Sequence, residues 1–142
     1  MNEEAKNEVR SEEKKVDNTS ALGRFLELPD VNSMEKEIDF GGRIGKLTIR
    51  PLSRTKFSNL NKKATVNGEV KNGLLNLLVV KEQVINPNFN DASFLSKVGC
   101  QTAEEFIDKK LFAGEIAVIA SEIVDESGFS LEVNPHIEEA KN

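Results

Sequence analysis

Cysteine, histidine and the polar aromatic residues are scarce in this chain of 142 residues, and their scarcity bears directly on function. The chain has one cysteine, Cys100, one histidine, His136, and neither tryptophan nor tyrosine. A single cysteine cannot form an internal disulfide or a multi-cysteine zinc site. His136 lies in a charged C-terminal stretch, where it is poorly placed to contact a nucleophile and an orienting carboxylate. We therefore expect a protein that is not an enzyme and that holds no metal or cofactor.

Long apolar runs are also missing. No run approaches the ~20 residues that a transmembrane helix needs. The first fifteen residues, MNEEAKNEVRSEEKK, are polar and charged, whereas a signal peptide would carry an apolar block after its basic residues. The sequence therefore predicts a cytoplasmic protein that makes no contact with a membrane.

The distribution of charge and apolar residues predicts one domain between two tails. Residues 1–20 carry six acids and four bases but few apolar side chains, and residues 131–142 are similar in character. Segments of this composition bury too little apolar surface to offset the entropy lost on ordering. We expect disordered tails at residues 1–20 and 131–142, and a single folded domain at residues 21–130.

The first half of the predicted domain combines short helices with a β-hairpin. Residues 22–26 carry apolar side chains at helical spacing. Apolar and polar residues alternate in residues 36–40 and 46–52, and the glycine-rich segment between them predicts a hairpin turn. Asn67-Gly68 suits a type I′ turn, so residues 65–70 are either a second hairpin or an ordered loop.

Helix signals dominate the rest of the chain. Further helices are predicted at residues 53–63, 72–84, 91–98, 102–111 and 114–127. Asp91 and Thr102 are suitable N-cap residues, and Gly99 and Gly128 are suitable stops. The expected fold class is α+β and mostly helical, with an N-terminal β-hairpin packed against about four to five short helices.

Several segments follow one another in a recognisable order. They are Glu37–Phe40, Lys46–Ser53, Asn86–Phe89, a short helix ending in Gly99, the acidic helix Phe106–Leu111, Ala113–Ile116 and Ser127–Phe129. Their order and spacing resemble the tail assembly chaperones of contractile-tailed phages and of the PBSX-like prophages of Firmicutes. The resemblance extends over roughly residues 22–129.

The resemblance implies a concrete function. Such chaperones bind the long, helical, hydrophobic tape measure protein in the host cytoplasm and keep it soluble. They leave before the tail is complete, so the chain is not expected in the finished virion. Further partners implied by the resemblance are the tail tube protein, a frameshifted longer form of the chain itself, and other copies of the chain in weak self-association.

Two helices carry apolar residues on more than one face, which raises the question of what covers them. A surface helix normally buries one stripe. The predicted helix at 72–84 is therefore either central and covered on all sides, or it exposes a second face to a partner. The partner-binding hypothesis names five residues on the two helices: Leu75, Val79, Val80, Val118 and Val124.

A basic stretch between Gly41 and Gly68 contains seven bases and no acid. The bases are Arg43, Lys46, Arg50, Arg54, Lys56, Lys62 and Lys63. Three interpretations remain open: intramolecular pairing or simple solvation, steering of an acidic protein partner, and phosphate binding by a nucleic-acid-binding or regulatory module. The net charge of -5 disfavours the last one. A structural tail subunit is a further alternative to a chaperone.

Overall fold

The computed structural model describes residues 20–131. The disordered tails predicted at residues 1–20 and 131–142 lie outside the described residues, apart from Ser20 and Leu131. The chain divides after Asp30 into two compact units, which are described separately. In the first, helix α1 spans Ala21–Leu26, and the Ser20 hydroxyl caps it by accepting the Gly23 N–H at 2.9 Å.

The second unit contains the remaining described elements. In chain order they are β1 (Lys36–Asp39), β2 (Lys46–Ile49), α2 (Arg54–Lys63), β3 (Thr65–Val66), β4 (Glu69–Val70), α3 (Asn72–Gln83), β5 (Val84–Asn86), α4 (Ala92–Val98), α5 (Ala103–Lys110) and α6 (Ala113–Val124). A 3-10 turn at Val31–Ser33 precedes them, and a π turn at Asp125–Phe129 follows. The predicted fold class, α+β and mostly helical, is confirmed.

A three-stranded antiparallel sheet forms one side of this unit, in the order β1-β2-β5. The predicted β1–β2 hairpin is confirmed, with Ile38 opposite Leu47. Strand β5 was not predicted, because Val84 continues the apolar pattern of the preceding helix. Val84 instead leaves the helix and pairs with Ile49 of β2, where both side chains are buried.

The second predicted hairpin is also present. Strands β3 and β4 pair over two residues each, with Thr65 opposite Val70. Asn67 has φ 53° and Gly68 has φ 79°, so both central residues of the turn are left-handed. A type I′ turn requires this geometry, which explains the Asn-Gly pair.

Helix α3 is the central helix of the unit. It packs against α2, α5, α6 and β5, so its neighbours cover it from several sides. Val79 and Val80 are fully buried in the core together with Ile119 and Ile123 of α6. The prediction that Val79 and Val80 belong to an exposed partner-binding surface is therefore wrong, and the alternative of central burial is the one observed.

Local capping fixes the ends of the later helices as predicted. The side chains of Asp91 and Thr102 accept the N–H groups that open α4 and α5. Gly99 ends α4 with φ 73°, in the left-handed region. At the end of α6 the Ser127 hydroxyl accepts the Leu52 N–H at 2.8 Å, which ties the π turn to the segment before α2.

Candidate functional site

An apolar cleft of about 460 Å³ opens between the β1–β2 turn and the first turns of α6. Its lining residues are Phe40, Gly41, Gly42, Arg43, Ile44, Phe112, Gly114, Glu115, Val118 and Ile119. Gly41, Gly42 and Gly45 all have positive φ, which lets the chain reverse direction within the few residues between Phe40 and Lys46. The turn thereby brings the half-buried side chains of Phe40 and Ile44 to the cleft.

Helix α6 supplies the other wall of the cleft. Glu115 and Val118 lie three residues apart on one face of the helix, and Phe112 precedes the helix as its N-cap residue. Phe112 is 67% exposed and Val118 is 60% exposed, whereas Ile119 at the same cleft is fully buried. Two large apolar side chains beside an apolar cleft are typical of a protein-binding surface.

Arg43 joins the two walls. Its Nε and Nη2 atoms donate to Glu115 Oε2 and Oε1 at 2.9 and 2.6 Å, a two-pronged geometry that only a guanidinium offers. Nη2 also donates to the main-chain oxygen of Lys110 at 3.0 Å, and Cζ lies 4.3 Å from the centre of the Phe112 ring. The hairpin turn is therefore fixed to the α5–α6 junction.

Glu115 has a second function at the start of α6. Its Oε1 atom accepts the Phe112 N–H at 2.8 Å, which satisfies one of the free donors at the helix N-terminus. The hydrogen bonds from Arg43 and then from Phe112 hold the pKa of Glu115 below its usual value, and the pKa of Arg43 is raised by the same pair. A carboxyl group with a lowered pKa carries no proton to donate near neutral pH, so the pair supports structure rather than acid catalysis.

The five predicted partner-binding residues differ in how far they are exposed to solvent. Val118 is exposed and lines the cleft. Leu75 and Val124 are half-buried and pack against the core, and Val79 and Val80 lie within it. Sequence reasoning missed Phe112, because it precedes α6 as its N-cap residue and belongs to no helical stripe.

Some bases of the basic stretch form ion pairs with acidic side chains, and the others are exposed to solvent. Three of its seven bases form ion pairs: Arg43 with Glu115, Arg50 with Glu35 at 3.2 Å, and Lys56 with Glu82 at 3.2 Å. The other four are exposed and form no ion pair within residues 20–131. They are Lys46, Arg54, Lys62 and Lys63.

The aromatic residue inside the basic stretch is half-buried. Phe57, the aromatic residue of the basic stretch, packs against Phe129 with ring centres 5.0 Å apart. Single-stranded nucleic acid is usually held by a basic groove together with exposed aromatic rings. The arrangement therefore favours pairing and solvation over phosphate binding.

Cysteine and metal-ligating side chains are the remaining candidates for chemistry in the described segment. Cys100 is a free cysteine and is buried. Between residues 20 and 131, no three acidic, cysteine or histidine side chains cluster as metal ligands would. None of the helices in that range combines the length and the apolar character needed to cross a bilayer. His136 lies outside the described residues.

Comparison with known proteins agrees with the family resemblance. The family model for the phage XkdN-like tail assembly chaperone proteins matches residues 22–141, most of the chain. Neither the curated proteins nor the solved structures gave a match. On the strength of the family match, the chain belongs to the XkdN-like family of phage tail assembly chaperones.

Proposed function

We propose that this chaperone binds the phage tape measure protein, without any enzymatic activity, and keeps it soluble in the host cytoplasm during tail assembly. Family membership supports a role in tail assembly and contacts with tail proteins. The observation that carries the proposal is the open apolar cleft with Phe112 and Val118 exposed at its edge. A long hydrophobic helical protein presents the apolar side chains that such a cleft accepts.

The expected mode of binding is a helix laid against the cleft. Apolar residues of the client helix would enter between the β1–β2 turn and α6, at a spacing of three or four residues. Burying one large apolar side chain contributes about 1.5–3 kcal/mol, whereas association itself costs about 4–15 kcal/mol. One copy therefore binds weakly, and many copies along a long client bind well together through multivalency.

Weak individual contacts suit a chaperone that must dissociate from the tape measure protein. Tail tube subunits that polymerise around the tape measure protein would displace each copy in turn, and no nucleotide hydrolysis is needed. The Arg43–Glu115 pair supports this function by holding the two walls of the cleft in place before the client arrives. Preorganisation of this kind lowers the ordering cost of binding.

Co-expression with the tape measure protein tests the proposal. The wild-type chaperone should raise the soluble fraction of the client, and Val118→Asp should abolish this effect by placing a charge at the cleft. Val66→Asp is a matched control, because Val66 is also an exposed valine, at 42%, and does not line the cleft. If Val118→Asp solubilises the client as well as the wild type does, the cleft is not the binding site.

A further inference from the structure

A second apolar cavity, of about 170 Å³, adjoins the cleft. Arg43, Ile44 and Ile119 line both spaces, so the two lie side by side around the Arg43 side chain. The other residues that line the second cavity are Leu47, Pro87, Phe89, Phe106, Lys110 and Leu111. An apolar cavity of about 150 Å³ is large enough to hold benzene. The second cavity therefore has room for one large apolar side chain.

One wall of the second cavity is aromatic. The rings of Phe89 and Phe106 lie 5.7 Å apart, and Phe94 packs against Phe106 with ring centres at 4.8 Å. Phe89 is buried, so its ring is held in place by the core. Like the cleft, the second cavity is therefore formed before any client arrives, which lowers the ordering cost of binding.

The side chains that line the two spaces carry an excess of positive charge. Arg43 and Lys110 are the cations, and Glu115 is the acid. The Glu115 carboxylate already accepts hydrogen bonds from Arg43 and from the Phe112 N–H. Lys110 is exposed and forms no ion pair within residues 20–131, and the Arg43 Nη1 atom donates to none of the described residues. Two unused donor groups thus lie beside adjoining apolar spaces.

We propose that the client segment bound here carries an acidic residue between two apolar residues on one face of a helix. This inference rests on the proposed function and adds the chemistry of the segment that is recognised. One apolar side chain enters the cleft and the other enters the second cavity, with the carboxylate against Arg43 and Lys110. Residues three or four positions apart share a helix face, so the acidic residue lies three or four positions from each apolar one.

Charge complementarity is the reason for an acidic rather than a basic residue. The client carboxylate can accept from Arg43 Nη1 and from the Lys110 ammonium group while Nε and Nη2 stay bonded to Glu115. A client lysine at the same position would meet two cations, and like charges disfavour the wrong partner. Apolar contacts then supply most of the affinity, and the two cations select among the apolar segments of the tape measure protein.

Charge reversal at Lys110 tests the proposal. Lys97→Glu is a matched control for Lys110→Glu, because Lys97 is also an exposed lysine in the last turn of a helix and lines neither space. Binding is measured by fluorescence anisotropy with labelled overlapping peptides that cover the tape measure protein. Peptides that bind the wild type should carry the proposed pattern. Lys110→Glu should weaken their binding about threefold to tenfold at low salt, and Lys97→Glu should change it less than about twofold.

A charge swap shows whether Lys110 contacts the client. The acidic residue of the peptide that binds best is changed to lysine. The wild type should bind this lysine peptide more weakly than the original, and Lys110→Glu should bind it more tightly than the wild type does. Damage to the fold could not produce such a reversal, and circular dichroism checks that each variant folds.

Val118→Asp separates this inference from the proposed function. If Val118→Asp abolishes peptide binding but Lys110→Glu binds the same peptides as well as the wild type does, the inference is wrong and the proposed function stands. Binding peptides that lack the acidic residue, or a swap that restores nothing, would also overturn the inference alone. If no peptide binds, or if Val118→Asp binds as the wild type does, the cleft is not the client site and both proposals are wrong.

Discussion

Arg43 and Glu115 lie 72 residues apart in the sequence, yet their side chains meet in a two-pronged pair at 2.6 and 2.9 Å. The pair connects the β1–β2 turn to the first turn of α6, and the apolar cleft lies between those two elements. The cleft is also lined by Ile44, which follows Arg43 in the sequence, and by Phe112, which precedes α6. The geometry of the candidate binding surface thus depends on one long-range ion pair.

The first prediction concerns the pH dependence of this pair. The hydrogen bond from Arg43 holds the pKa of Glu115 in the folded chain below the value in the unfolded chain, about 4.3. A group with a lowered folded pKa contributes stability that is complete above its unfolded pKa and is lost as the pH falls through its folded pKa. The wild type should therefore be more stable than Glu115→Gln at pH 6–7, and this difference should shrink progressively below about pH 4.

Urea unfolding of the two proteins at a series of pH values measures this difference. Glu105, whose pKa is also lowered by the Gln101 N–H and by Lys109, is present in both proteins and contributes equally. A stability difference that does not change between pH 3 and pH 7 would show that the ionised pair does not stabilise the fold.

The second prediction compares two valines in different surroundings. Val80 is fully buried on α3, and Val118 is 60% exposed on α6. Val80→Asp should destabilise the fold by more than about 3 kcal/mol, because it places an unpaired carboxyl group in the core. Val118→Asp should change the free energy of unfolding by less than about 0.5 kcal/mol.

Thermal unfolding followed by circular dichroism distinguishes the two variants. Equal melting temperatures for Val80→Asp and the wild type would contradict the central position of α3.

The third prediction concerns nucleic acid. Three of the seven bases in the basic stretch are paired with acids, and Phe57 packs against Phe129. We expect no binding of DNA or RNA at micromolar protein and physiological salt. Fluorescence anisotropy with labelled oligonucleotides checks this. Binding that falls steeply with salt, and that Lys62→Glu and Lys63→Glu abolish, would instead favour the nucleic-acid-binding alternative.

The fourth prediction concerns the finished particle. A chaperone leaves before the tail is complete, whereas a structural subunit stays. Mass spectrometry of purified particles should therefore find tube, sheath and tape measure proteins, and this chain should be absent. Its presence in a fixed ratio to the tube protein would favour the structural alternative.

Features set by neighbouring residues were predictable from the sequence. The caps at Asp91 and Thr102, the stop at Gly99 and the turn at Asn67-Gly68 all depend on hydrogen bonds or backbone angles within a few residues. The fold class followed from these local signals, because they mark where each helix and hairpin begins and ends.

Features set by distant contacts were not predictable in the same way. Helical spacing shows that Val79 and Val80 are apolar positions, but it does not show whether neighbouring helices or a partner cover them. Strand β5 forms because Val84 pairs with Ile49, 35 residues earlier in the chain. The cleft depends on Arg43 meeting Glu115, and no local pattern around either residue indicates that contact.

Site-specific photo-crosslinking tests the central claim most directly. A photoreactive residue is placed at position 118 of the chaperone, or at position 66 as a control, and each protein is co-expressed with the tape measure protein. If the cleft binds the client, a crosslinked product is expected from position 118 and little or none from position 66. Equal crosslinking from both positions, or a product from position 66 alone, would contradict the claim that the cleft beside Arg43 binds the client.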